Sequence, residues 1–165
     1  MSQHAKPGHS PEWTVDDNVV IGYPVGRGTG SGQAPPLVLG PGARLRTGTV
    51  LYDGSVIGTH LETGHNVVIR EECKIGDDVS VWSNTVVDYG CKIGNRVKIH
   101  TGCYIAQFTV LEDDVFLAPG VVIGNDLYPG NEDSARLMAG DSGPSTCASA
   151  SCSSGEAMAW RTGSE

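Results

Sequence analysis

His65 is the residue in this chain best suited to move a proton, because an imidazole changes charge near neutral pH. It sits in the string Gly64-His65-Asn66-Val67-Val68-Ile69-Arg70-Glu71. A spacing of 18 residues relates His65 to Ser83 and Thr101, Asn66 to Asn84, and Trp82 to His100. Asn84 carries an amide able to hold a carbonyl oxygen or position a sugar; a plain turn ladder with Asn66 is the competing reading. Asn125 and Asp126 either bind a polar substrate or form an ordinary Asn-Asp turn. Arg70 stands 18 residues before Asp88. The two either pair, worth about 0–1 kcal/mol if exposed, or Arg70 contacts a diphosphate, whose oxygens suit a guanidinium. His100 is either a second site histidine or a ring packed on Trp82.

A six-residue period must position these groups. Fifteen consecutive units run from Leu39 to Tyr128 without a register slip. Each opens on an aliphatic residue, except that Thr63 takes the place once. The fifth place is small or aliphatic, as in Thr49, Ser55, Val67, Cys73, Cys91 and Cys103. This period fits neither a helix nor a plain alternating strand. It predicts an all-β chain folded as a parallel β-helix of hexapeptide repeats, with about five coils of three units each. Positions one and five point inward, and stacked coils lie about 4.8 Å apart. No coil buries its apolar face alone, so the core comes from stacking.

Composition narrows the class. The 165 residues carry a net charge of −8 and no basic stripe, which speaks against nucleic acid. No apolar run reaches membrane-spanning length and the first ten residues are no signal peptide, so a cytoplasmic protein is expected. The five cysteines first suggest a metal or disulfides. The register reads Cys73, Cys91 and Cys103 instead as buried small side chains. Cys147 and Cys152 fit no zinc spacing. The glycine cluster at 26–32 opens no helix and leads into Ala34-Pro35-Pro36, so it reads as a surface loop, not a phosphate loop.

Three regions follow. Residues 1–37 form an N-terminal arm holding a partial first coil around Val19–Pro24. Residues 38–128 form the β-helix. Residues 129–165 are irregular, and the small polar run at 142–155 has no period. We expect this tail to be aberrant, a frameshifted end in place of further coils.

The strings Gly64-His65-Asn66-Val67-Val68-Ile69-Arg70-Glu71 and Val115-Phe116-Leu117-Ala118-Pro119-Gly120-Val121-Val122-Ile123-Gly124-Asn125-Asp126 resemble the left-handed β-helix acyltransferases that act on nucleotide-linked amino sugars. The likeness is to the branch that acetylates 3-amino sugars on UDP or dTDP, and it covers residues 19–140. It implies a homotrimer with active sites between subunits, acetyl-CoA as donor, and no metal. It casts His65 as a base or a substrate contact, with Asn84 beside it as a catalytic residue. Asn125, Asp126 and Arg70 become substrate-binding candidates, and no residue is assigned to coenzyme A. The same fold serves the γ-class carbonic anhydrases, which hold zinc on three histidines. His60, His65 and His100 are available, but their order along the chain is not that family's. A non-catalytic assembly module is the third reading.

Overall fold

Each six-residue unit supplies one short strand and one corner, and the strands stack into three sheets along a triangular prism. The computed structural model describes residues 13–25 and 34–124, and the backbone of 149–151. The first sheet stacks Trp13–Val15, Ala43–Leu45, Glu62–Thr63, Ser80–Val81, Lys98–Ile99 and Phe116–Leu117. The second stacks Val20–Tyr23, Val50–Tyr52, Val68–Ile69, Val86–Val87, Tyr104–Ile105 and Val122–Gly124. The third stacks Val38–Leu39, Val56–Ile57, Lys74–Ile75, Lys92–Ile93 and Val110–Leu111. Pairing is parallel, and Val86 lies between Val68 and Tyr104 at the 18-residue spacing. The fold is the expected all-β parallel β-helix of about five turns.

The lowest coil departs from that spacing. Trp13 pairs with Ala43, thirty residues on, and Val20 pairs with Val50. The chain leaves the coil after Tyr23 and rejoins it at Val38. Two hydrogen bonds pin its return: Leu37 N–H donates to Asp53 Oδ1 at 3.0 Å, and Gly54 N–H to the Pro35 carbonyl at 2.7 Å. The glycine cluster at 26–32 lies outside the described residues. At the other end, Ser149–Ser151 runs antiparallel to Val122–Gly124. It pairs with a strand that would otherwise present unpaired backbone groups at the end of the second sheet.

Burial follows the hexad. Leu45, Leu51, Ile57, Ile69, Val81, Val87, Ile99 and Ile105 hold position one, and all are buried. Position five is buried too except at Val115, which is half-buried, and most of its polar members share one task, Thr109 alone among them bonding back to Ala106 in its own coil. Ser55 Oγ donates to the Arg70 carbonyl at 2.7 Å, and Thr85 Oγ1 to the His100 carbonyl at 2.9 Å. The thiols of Cys73, Cys91 and Cys103 do the same to Asp88, Ala106 and Ala118 at 3.1–3.3 Å. Each ties its own coil to the corner of the next. The cysteines are therefore buried, as expected, but they also serve as donors to corner carbonyls. The hydrogen bond with Cys73, followed by burial, pushes the Cys91 thiol up; burial pushes Cys103 up. A raised thiol is a poor nucleophile.

Thr63 breaks the aliphatic column for a structural reason. Its hydroxyl accepts the Arg46 N–H at 3.1 Å and meets Thr49 Oγ1 at 2.9 Å. In other coils the backbone carbonyl takes that N–H, as Ile57 does from Gly40 and Ile75 from Gly58. A hydroxyl pair has been fitted into the core directly before the corner that carries His65.

Candidate functional site

Three edges join the three sheets, and the candidate residues are divided among them. The edge between the first and second sheets carries 64–66, 82–84, 100–102 and 118–120. Here it is called the histidine edge. Every sixth residue from Gly42 to Gly120 has a positive φ, which places Asn66 (φ 56°) and Asn84 (φ 57°) at left-handed corners. Asparagine tolerates that conformation better than most residues. Gly64 is required for another reason: a Cβ there would strike the Ser83 backbone nitrogen.

His65 and Asn84 share this edge in adjacent coils. The His65 N–H donates to Ser83 Oγ at 2.9 Å, which sets the turn. The imidazole is exposed and makes no hydrogen bond to another described residue. Asn84 Oδ1 accepts from Asn66 Nδ2 at 3.3 Å. The turn ladder is thus present, and it leaves Asn84 Nδ2 as an outward donor. His100 is half-buried one coil above Trp82, with ring centroids 6.0 Å apart, and its Nδ1 accepts the Thr101 N–H at 2.9 Å.

Arg70 stands on the next edge, between the second and third sheets. One strand, Val68–Ile69, separates it from the His65 corner. Its guanidinium is already engaged: Nε and Nη2 donate to Glu71 at 3.1 and 2.6 Å, and Nη1 to Asp88 at 2.9 Å. Both carboxylates are buried. Tyr89 N–H also donates to Asp88, at 2.8 Å, as does the Tyr104 hydroxyl, at 2.7 Å. The hydrogen bond to Asp88, with burial, pushes Tyr104 up to about 12. The rings of Tyr52 and Tyr89 flank the guanidinium at 6.0 and 5.2 Å, within cation–π range. Within one chain, Arg70 organises this second edge and does not meet His65. Asn125 and Asp126 lie outside the described residues.

The third edge carries His60 and a ladder of corner carboxylates and amides. Asp77, Asn95 and Asp113 accept the N–H of Thr59, Asp77 and Asn95 at 2.6, 2.9 and 2.8 Å. His60 Nδ1 lies 3.0 Å from Asp78 Oδ1, and Arg96 binds Asp114 at 2.7 Å. The three histidines weighed for zinc thus occupy two different edges. Among the described residues, no group of three or more His, Cys, Asp or Glu side chains is placed to hold a metal ion. No helix among them is long and apolar enough to cross a membrane.

A family model described as bacterial transferase hexapeptide (six repeats) matches residues 90–125. The match takes in His100 but begins after His65, Arg70 and Asn84. No curated protein matches the chain. The matched repeats and the stacked strands together fit a left-handed β-helix of the hexapeptide transferase kind.

Proposed function

We propose that this protein moves an acetyl group from acetyl-CoA to the amine of a nucleotide-linked sugar, a hydroxyl being the other possible acceptor. The observation that carries the reading is the exposed imidazole of His65, with no hydrogen bond to another described residue, on the same edge as the outward amide of Asn84, on a fold of the transferase kind. The amine lone pair attacks the thioester carbonyl carbon. The carbon–sulfur bond then breaks and coenzyme A leaves as its thiolate. His65 takes the proton from the nitrogen and returns it to the sulfur, so the products are the N-acetyl sugar and free coenzyme A. Asn84 Nδ2 donates to the carbonyl oxygen as charge builds there.

Assembly as a homotrimer belongs to the same reading. The outward column of the second sheet is apolar in every coil: Val20, Val50, Val68, Val86, Tyr104 and Val122. The matching column of the first sheet includes Arg44, Glu62, Ser80 and Lys98. An apolar column running the height of the sheet, beside a mostly polar first-sheet column, suits burial against further copies. Arg70, on the other side of that column, would then reach the nucleotide diphosphate held by a neighbouring copy.

Thermal unfolding tests this directly. Acetyl-CoA and a dTDP- or UDP-linked 3-amino sugar should each raise the melting temperature in a concentration-dependent way. If neither ligand shifts it, the reading fails.

A further inference from the structure

A row of aromatic side chains climbs along the histidine edge, from Trp82 and His100 at its corners to Phe116 on the adjoining strand of the first sheet. The ring centroids of Trp82 and His100 are 6.0 Å apart with planes at 44°, and those of His100 and Phe116 are 6.3 Å apart at 71°. No ring lies flat on the next. Trp82 and His100 are half-buried, and Phe116 is 51 % exposed. Small residues bound the row in its column, Gly64 below Trp82 and Ala118 above His100.

The His100 ring is also fixed in its tautomer. Its Nδ1 accepts the backbone N–H of Thr101 at 2.9 Å, so the neutral ring carries its hydrogen on Nε2. Neither that Nε2–H nor the indole N–H of Trp82 makes a hydrogen bond to another described residue. The edge therefore presents aromatic rings with two N–H donors, and the Thr101 bond sets the direction of the one on His100. A pyranose is the matching shape. Its C–H groups are electropositive and suit the negative faces of aromatic rings. Its rim of hydroxyl oxygens accepts from N–H donors.

We propose that Trp82, His100 and Phe116 form the platform on which the acceptor sugar lies, with His100 a fixed hydrogen-bond donor to a sugar oxygen and not a base. The identity of the sugar rests on the acyl-transfer reading above; the platform does not. His65 and Asn84 share the edge, so a sugar seated here brings its amine to them.

Three measurements on the full chain test this. The first is steady-state kinetics with acetyl-CoA and a dTDP-linked 3-amino sugar. His100→Leu should raise KM for the sugar roughly three- to tenfold, the worth of one neutral hydrogen bond, and leave KM for acetyl-CoA unchanged. His100→Gln, which keeps an N–H donor, should recover most of the loss. Sugar KM values within about twofold of wild type for both His100→Leu and Phe116→Leu would overturn the platform while leaving acyl transfer standing. The second applies even if the wild type transfers nothing. Saturation-transfer NMR should carry magnetisation from ring protons to the pyranose of the same nucleotide sugar, and Phe116→Leu should weaken it. No transfer to the pyranose overturns the proposal. The third is long-range proton–nitrogen correlation of the imidazoles, which must find His100 as the Nε2–H tautomer; the Nδ1–H tautomer would contradict the donor role.

Discussion

Thr49 Oγ1 and Thr63 Oγ1 lie 2.9 Å apart in the interior of the β-helix, one coil above the other. Thr63 is where the aliphatic column breaks, and its hydroxyl also holds the Arg46 N–H. Thr63→Val should cost about 1–3 kcal/mol, because it leaves the Arg46 N–H without its acceptor and Thr49 Oγ1 with only the Gly64 carbonyl, at 3.3 Å. The double variant Thr49→Val/Thr63→Val should recover part of that loss, since replacing both partners by apolar groups of similar shape is far less costly. Urea unfolding of both single variants, Thr49→Val and Thr63→Val, and of the double checks this. A double variant that loses the full sum of the single losses would show that the hydroxyls do not act as a pair.

Arg70 stands between two buried carboxylates, Glu71 and Asp88. Removing it by Arg70→Ala leaves Glu71 without its cation and Asp88 with only the Tyr89 N–H and the Tyr104 hydroxyl, and should destabilise the protein by about 1–3 kcal/mol at neutral pH, the guanidinium being partly exposed. Denaturant unfolding measures the loss, with Arg70→Met as a control that keeps an apolar stem. Full recovery by Arg70→Met would mean that Arg70 acts through packing of its stem.

Tyr104 supplies an alkaline signature for the same edge. Its hydroxyl donates to Asp88, and its folded value lies at about 12 against an ordinary 10. The folded value is the raised one. The stability it contributes is therefore complete below about 10 and lost as pH rises towards 12. Tyr104→Phe should flatten the alkaline limb of stability across that window. Carbon-13 shifts of the tyrosine rings should show one late-titrating phenol that returns to the ordinary range in Asp88→Asn.

The third edge behaves in the opposite sense. The Thr59 N–H holds Asp77 below its ordinary value of 3.8, the Asn95 N–H does the same for Asp113, and Arg96 for Asp114. A depressed carboxyl stabilises above its unfolded value and loses that contribution as pH falls through the folded one. Stability should therefore drop below about pH 4. Asp77→Asn keeps an acceptor at the corner, as Asn95 already does one coil up. It should reduce the acid dependence by lowering neutral stability towards the acid level, since the charge that gave the contribution is gone. An acid limb identical to wild type would rule out the ladder as its source.

The hexad was enough to read the interior, because inward positions repeat every six residues and burial leaves them little freedom. It also contained more than was first taken from it. His65 and Arg70 fall in successive hexads, so the count alone puts them on different edges; residue chemistry had drawn them to one ligand. The lowest coil was only half visible. Its third strand follows a detour after Tyr23, and a detour carries no period, so the pairing of Trp13 with Ala43 does not show in the sequence. The 18-residue count already set Trp82 beside His100, and the rings do meet. Phe116 lay hidden because it occupies a different place in the hexad, on a strand and not at the corner, and only the folded edge brings it to His100.

Release of free coenzyme A from acetyl-CoA, measured across a panel of UDP- and dTDP-linked amino sugars with wild type and His65→Ala, tests the central claim most directly. We expect one or more of these sugars to drive release by the wild type, and His65→Ala to lower kcat/KM by about 10²–10⁴-fold, the ordinary share of a general base. Release that never exceeds the no-sugar control contradicts acyl transfer, and full release by His65→Ala contradicts the role of His65.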